Sequence, residues 1–169
     1  MIAVKTKRYR SKSTKGILTQ IKPKTKKQLK KDYNKLFHKA ERLWKEVAHL
    51  RDGHGCQVQK RFPAVQISHS DVMQVDHWIT RNDHNLFFNP CNSLVVCSVC
   101  NASKGWNIGP ARELINKIVT EREGSNAGFM MDIHCSHQPN LNWKSTEWLE
   151  KQVIPMLEQY KKELPCTKP

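Results

Sequence analysis

From Thr25 to Leu50 the apolar positions Leu29, Tyr33, Leu36, Phe37, Ala40, Leu43, Trp44, Val47 and Leu50 recur at three- and four-residue steps, the spacing of one helical face. Lys26, Lys27, Lys30, Lys31, Lys35, Arg42 and Lys45 fall between them, so one helix can pack on a core and present cations outward. Asp52-Gly53-His54-Gly55 predicts its end. Between residues 56 and 109 the pattern shortens. Val65 to Ile67, Met73 to Thr80 and Ser93 to Cys97 read as short strands separated by Asn, Asp, Pro and Ser turns. Helical spacing returns from Pro110 to Glu123, the proline suiting a first turn, and Gly124 to Gly128 reads as a Gly and Asn loop. A third helical pattern runs from Ser145 to Leu164, and Pro155 within it predicts a kink or a break.

The elements predict an α+β chain, with a two-stranded hairpin and a helix at its centre. Four segments are expected: a basic flexible arm over 1–23, the amphipathic basic helix over 24–52, a compact core over 53–123, and a C-terminal helical extension over 124–169. At 169 residues there is room for one core of ordinary size, and therefore one site is sought.

The distribution of charge changes the picture more than its total. Residues 1–51 hold 17 Lys and Arg against 3 acidic residues, whereas residues 52–169 hold 12 of each, so the whole excess of +14 lies in the N-terminal third. An arm and helix of that charge suit a phosphate backbone bound without sequence reading; a solvated basic tail is the plainer alternative. No stretch approaches the roughly 20 apolar residues that span a bilayer, and the N-terminus lacks a secretory signal pattern, so a cytoplasmic protein is expected. Six cysteines at irregular spacing suit metal binding or burial better than a disulfide scaffold, and reduced thiols are expected.

Three short motifs follow one another in order: Val75-Asp-His-Trp-Ile-Thr-Arg81, Asn92-Ser-Leu-Val-Val-Cys97 and Cys100-Asn-Ala-Ser-Lys-Gly105. Singly each is weak. Asp-His pairs are common, Asn before a strand is usually a turn, and Cys97 with Cys100 fits half a zinc knuckle, a redox pair or two buried thiols. In this order and spacing they resemble the motif of the HNH (ββα-metal) endonucleases. The resemblance implies a small ββα-metal core in which His77 is the general base, Asp76 and Asn101 hold Mg2+ or Mn2+, and Asn92 braces the loop that orients the base. The chemistry is coherent, because imidazole titrates nearest neutral pH and oxygen donors suit a hard cation. Asp76 and His77 are neighbours, so both reach one phosphate only if the strand ends or twists there. DNA is the expected partner, contacted by Lys104, Arg81, Lys26, Lys27, Lys30 and Lys31, with the chain acting as monomer or homodimer.

A looser resemblance covers about residues 45–123. Leu50-Arg-Asp-Gly-His-Gly-Cys56 and the Asn89-Pro-Cys-Asn92 region are similar to phage recombination endonucleases of the NinG/Rap type, although that family usually has a second cysteine where this chain has Gln59, and Gly where it has Asp76. Structural Zn2+ is accordingly expected on Cys56, Cys97 and Cys100, with a fourth ligand from His54, His69, Cys91 or the His134-Cys135-Ser136-His137 cluster. A zinc-stabilised DNA-binding module without catalysis and an RNA-binding or ribosome-associated basic protein are the competing readings.

Overall fold

The computed structural model describes residues 24–106, 109–136, 140, 142–143 and 145–164. The expected arm over 1–23, together with His137 and Cys166, lies outside the described residues. Helix α1 spans Lys26–Asp52. The Thr25 side chain accepts from the Gln28 N–H at its start, and Gly53, at φ 76, ends it by donating to the His49 carbonyl. Its buried stripe is Ala40, Trp44, Val47 and Ala48, while Lys26, Lys27, Lys30 and Lys31 stand exposed on the outer face.

A short helix α2 (Gln57–Arg61) leads through an irregular segment to β1 (Met73–His77). β1 pairs antiparallel with β2 (Ser93–Cys97), Met73 opposite Cys97 and His77 opposite Ser93. β2 is buried at all five positions, which explains why it reads as a continuous apolar run and not as an alternation. Helix α3 (Ser98–Trp106) follows directly, and the Ser98 N–H donates to the Val72 carbonyl across the pair. Helices α4 (Ala111–Glu123), α5 (Ser125–Ser136) and α6 (Thr146–Trp148), a π turn over Leu149–Val153, and α7 (Ile154–Glu163) complete the chain.

Two apolar clusters form on either side of the strand pair. One joins Val58, Ile79, Leu86, Leu94, Val96, Ile115, Ile118 and Met130, from α2, the strands, α4 and α5. The other joins Ala40 and Trp44 of α1 to Phe88, Leu149, Val153, Ile154 and Leu157. Each fully buried side chain of this kind contributes about 1.5–3 kcal/mol relative to exposure. Two ion pairs, Lys39 with Glu158 and Lys161 with Glu46, bridge α1 and α7 over the surface.

Two expectations are corrected. Val65 to Ile67 is not a strand; the segment is irregular, and Ile67 packs on the first cluster as a single side chain. The Gly124 to Gly128 segment is not a loop: only Gly124 breaks the chain, at φ 55, and α5 begins at the next residue. His134 and Cys135 therefore lie on a helix. The break expected at Pro155 falls there: the π turn over Leu149–Val153 ends and α7 begins at Ile154, with the proline in the first turn of α7. Among the described residues no helix is long and apolar enough to cross a membrane.

Candidate functional site and metal centre

Side chains alternate along β1. Gln74 and Asp76 face α3, where Gln74 meets Asn101 at 2.7 Å and Asp76 meets Lys104. Val75 and His77 face α1, where Val75 packs in the cluster with Ala40 and His77 lies against Trp44. The strand ends at His77, as a shared site for Asp76 and His77 requires. Asp76, His77, Asn101 and Lys104 line one open groove of about 1380 Å³, which Arg81 and Arg112 also border.

His77 is held by what surrounds it. Its Nε2 lies 2.9 Å from the Phe87 carbonyl oxygen. A carbonyl can only accept, so Nε2 carries the proton and Nδ1 of the neutral ring keeps a lone pair. The indole of Trp44 stacks on the imidazole with centroids 4.2 Å apart and planes 18° apart, and the Phe87 ring closes another side at 4.8 Å. Burial lowers the imidazole from its ordinary value of 6.5, and the Lys104 and Arg81 charges add to this; the Phe87 bond and the Asp76 charge oppose it without winning.

Asn92 is fully buried and its side chain is saturated. Its Oδ1 accepts from the Ile79 N–H at 2.7 Å, and its Nδ2 donates to the carbonyls of Ile79 and Leu86 at 3.1 Å each. Those bonds tie down both ends of the 79–86 loop immediately before Phe87, the residue whose carbonyl holds His77. The brace and the held imidazole are thus one connected structure.

On the α3 side, Lys104 Nζ donates to Asp76 Oδ2 and, at 2.6 Å, to the His77 carbonyl. The Asn101 amide approaches both Asp76 carboxylate oxygens at 3.1 Å. With its nitrogen turned to them it donates two bonds; with its oxygen turned to them it makes an all-oxygen set beside Asp76, the donor type a hard divalent cation takes. The seat already holds a cation, the Lys104 ammonium, so its electrostatics suit one. Of the other expected DNA contacts, Arg81 lies at this groove, whereas Lys26, Lys27, Lys30 and Lys31 lie on the outer face of α1.

A second cluster lies at the far end of the strand pair. Cys56, His69, Cys97 and Cys100 each offer one donor atom, all within 4.8 Å of one another. Cys56 Sγ lies 3.8 Å from Cys100 Sγ, and His69 Nδ1 lies 3.5 Å from the sulfurs of both Cys97 and Cys100. A tetrahedral zinc with bonds of about 2.3 Å to sulfur and about 2.0–2.1 Å to nitrogen puts its ligands roughly 3.5–3.8 Å apart, so these edges match one ion and not a disulfide. Burial opposes ionisation of the Cys97 thiol, but the Cys100 and Ser70 N–H groups and His69 outweigh it and bring that thiol down to about 6. Cys100 is pushed up, by burial first and then by its bond to Cys97. The cluster could hold a metal such as zinc.

His69 is the fourth donor that the sequence left open among several. The others are placed elsewhere: His54 stacks on His49, Cys91 lies beside Glu123 and Tyr160, and His134 pairs with Asp83 at 2.8 Å. Trp44 carried no sequence signal beyond its place in an apolar stripe. No family model, curated protein or solved structure matches the chain.

Proposed function

We propose that the chain is a metal-dependent DNA endonuclease with a ββα-metal (HNH) core made of β1, β2 and α3, His77 being its general base. The observation that carries this reading is the His77–Phe87–Asn92 connection, in which a buried Asn fixes the loop whose carbonyl fixes the tautomer of a groove-lining histidine. A histidine that serves packing alone has no need of a lone pair directed by a braced loop.

Asp76 and Asn101 fit Mg2+ or Mn2+, and such an ion bound there supplies Lewis-acid stabilisation of the charge that develops on the phosphorane. His77 Nδ1 takes a proton from water as the water oxygen bonds to phosphorus; one ester P–O bond breaks, and the departing oxygen takes a proton from solvent. Lys104, Arg81 and Arg112 line the groove as phosphate contacts. Lys26, Lys27, Lys30 and Lys31 on α1 extend that contact along the backbone without reading bases. Zn2+ on Cys56, His69, Cys97 and Cys100 locks α2, the segment before β1, the end of β2 and the start of α3 together. One such site cuts one strand, so the unit product is a nick.

The Cys3His cluster and the basic helix also favour a second reading, a zinc-stabilised DNA-binding module without catalysis. Incubation of supercoiled plasmid with the purified chain separates them. The nuclease converts it to open circles with Mg2+ or Mn2+ and stops with EDTA; the binding module retards the plasmid in a gel and leaves it supercoiled in every metal.

A further inference from the structure

The helix that bears the exposed lysines is also the helix that meets the base. Trp44 is 1% exposed, its indole lies flat on the His77 imidazole, and its Nε1 donates to the Asn89 carbonyl at 3.1 Å. We propose that Trp44 is a positioning residue for the general base, a platform that fixes the plane of the His77 ring so that Nδ1 keeps one direction in the groove. The inference rests on the nuclease reading and adds to it a residue outside the motifs that suggested it.

A single hydrogen bond at Nε2 holds the imidazole at one atom near its far edge and resists small rotations about the Cβ–Cγ bond only weakly. A stacked, near-parallel ring 4.2 Å away removes that freedom, because tilting the imidazole drives its edge into the indole. The platform is itself fixed. Asn89, which accepts from Trp44, Phe87, which accepts from His77, and Asn92, which braces the loop, all lie within six consecutive residues, so base, partner and platform share one frame.

Trp44→Phe and Trp44→Leu are compared with wild type on the plasmid substrate, with kcat and KM measured separately and the folded fraction taken from circular dichroism. Leu157→Ala, a buried side chain of the same cluster carried by α7, controls for lost stability. Per folded molecule, Trp44→Leu loses about 10- to 100-fold in kcat with KM and DNA affinity unchanged, Trp44→Phe recovers most of the loss, and Leu157→Ala keeps its kcat. The ring-proton resonances of His77, assigned by their disappearance in His77→Ala, move downfield in Trp44→Leu as the indole ring current is lost. A Trp44→Leu chain with wild-type kcat, a Leu157→Ala chain equally slow, or unmoved His77 resonances would each overturn the inference about Trp44. A wild type that binds DNA and nicks none with either metal overturns the nuclease reading itself, and does so before any variant is compared.

Discussion

His77 shows how a residue's surroundings, and not its identity, set what it can do. Burial holds its imidazole below 6.5, which keeps the ring unprotonated and ready to accept at neutral pH. The acid limb of kcat against pH is therefore expected below 6.5 and not at it. The same shift has a stability consequence. The unfolded chain takes the proton near 6.5 and the folded chain only at lower pH, so this contribution is intact above 6.5 and is lost as pH falls through the window beneath it. Lys104 gives a second prediction. Its ammonium holds the Asp76 carboxylate in a part-buried pair, so Lys104→Met should bind Mn2+ more tightly, by roughly three- to tenfold, while binding DNA less tightly. Calorimetric titration of the metal checks the first and gel retardation the second; weaker Mn2+ binding by the variant would show that Lys104 supports the metal seat and does not compete for it. At this scale the sequence was informative where chemistry clusters in motifs. Asp76, His77, Asn92 and Asn101 were named from three short runs, and the structure brings all four to one strand end. Trp44 and His69 were not singled out as the platform and the fourth donor, because each acquires its neighbour only through folding: Trp44 looks like any apolar helix position, and His69 sits in a segment without periodicity.

Helices and strands followed the same logic with different failures. α1 and β2 were legible almost to the residue, since the first has a long amphipathic stripe ended by Gly53 and the second is a short apolar run that follows the Asn89-Pro90 turn. α5 was missed because Ser125-Asn-Ala-Gly128 resembles a loop and because Phe129 and Met131 are exposed, which erases the apolar stripe. Val65 to Ile67 alternates like a strand yet pairs with no strand among the described residues. The outer edge of β2 is already occupied: the Asp52 carboxylate accepts from the Val95 N–H at 3.1 Å, and Arg51 and Arg122 donate to the Ser93 carbonyl at 2.6 and 2.9 Å. Asp52 is 4% exposed and also pairs with both arginines. Asp52→Ala leaves the part-buried Arg51 without its carboxylate, Arg122 with Glu123 alone, and the Val95 amide unpaired, and should cost about 3–5 kcal/mol in urea unfolding, because losing one partner of a buried network leaves a charge uncompensated. A loss under ~1 kcal/mol would mean that water replaces the carboxylate at this edge.

For the molecule as a whole, the nuclease proposal assigns DNA contact to the exposed lysines of α1 and cleavage to the groove at His77, which α1 reaches through Trp44. The entire net charge excess precedes Asp52, which is what that proposal draws on for contact with a phosphate backbone. The three cysteines that the structure gathers, Cys56, Cys97 and Cys100, are the three expected from the sequence; only the fourth donor, His69, was left open, because its approach to them is set by tertiary packing. Purified without chelator, the chain should contain one zinc per molecule by elemental analysis, and Cys100→Ser should lose it and lower the thermal midpoint; Cys135→Ser, an exposed thiol outside the cluster, should do neither. The proposed role of His77 as the base of a nuclease is tested by single-turnover nicking of supercoiled plasmid by wild type and His77→Ala at saturating protein with Mg2+ or Mn2+. Both are expected to bind the plasmid alike, and the variant to be slower by ~10²- to 10⁴-fold. Equal rates, or no metal-dependent nicking by the wild type, would contradict it.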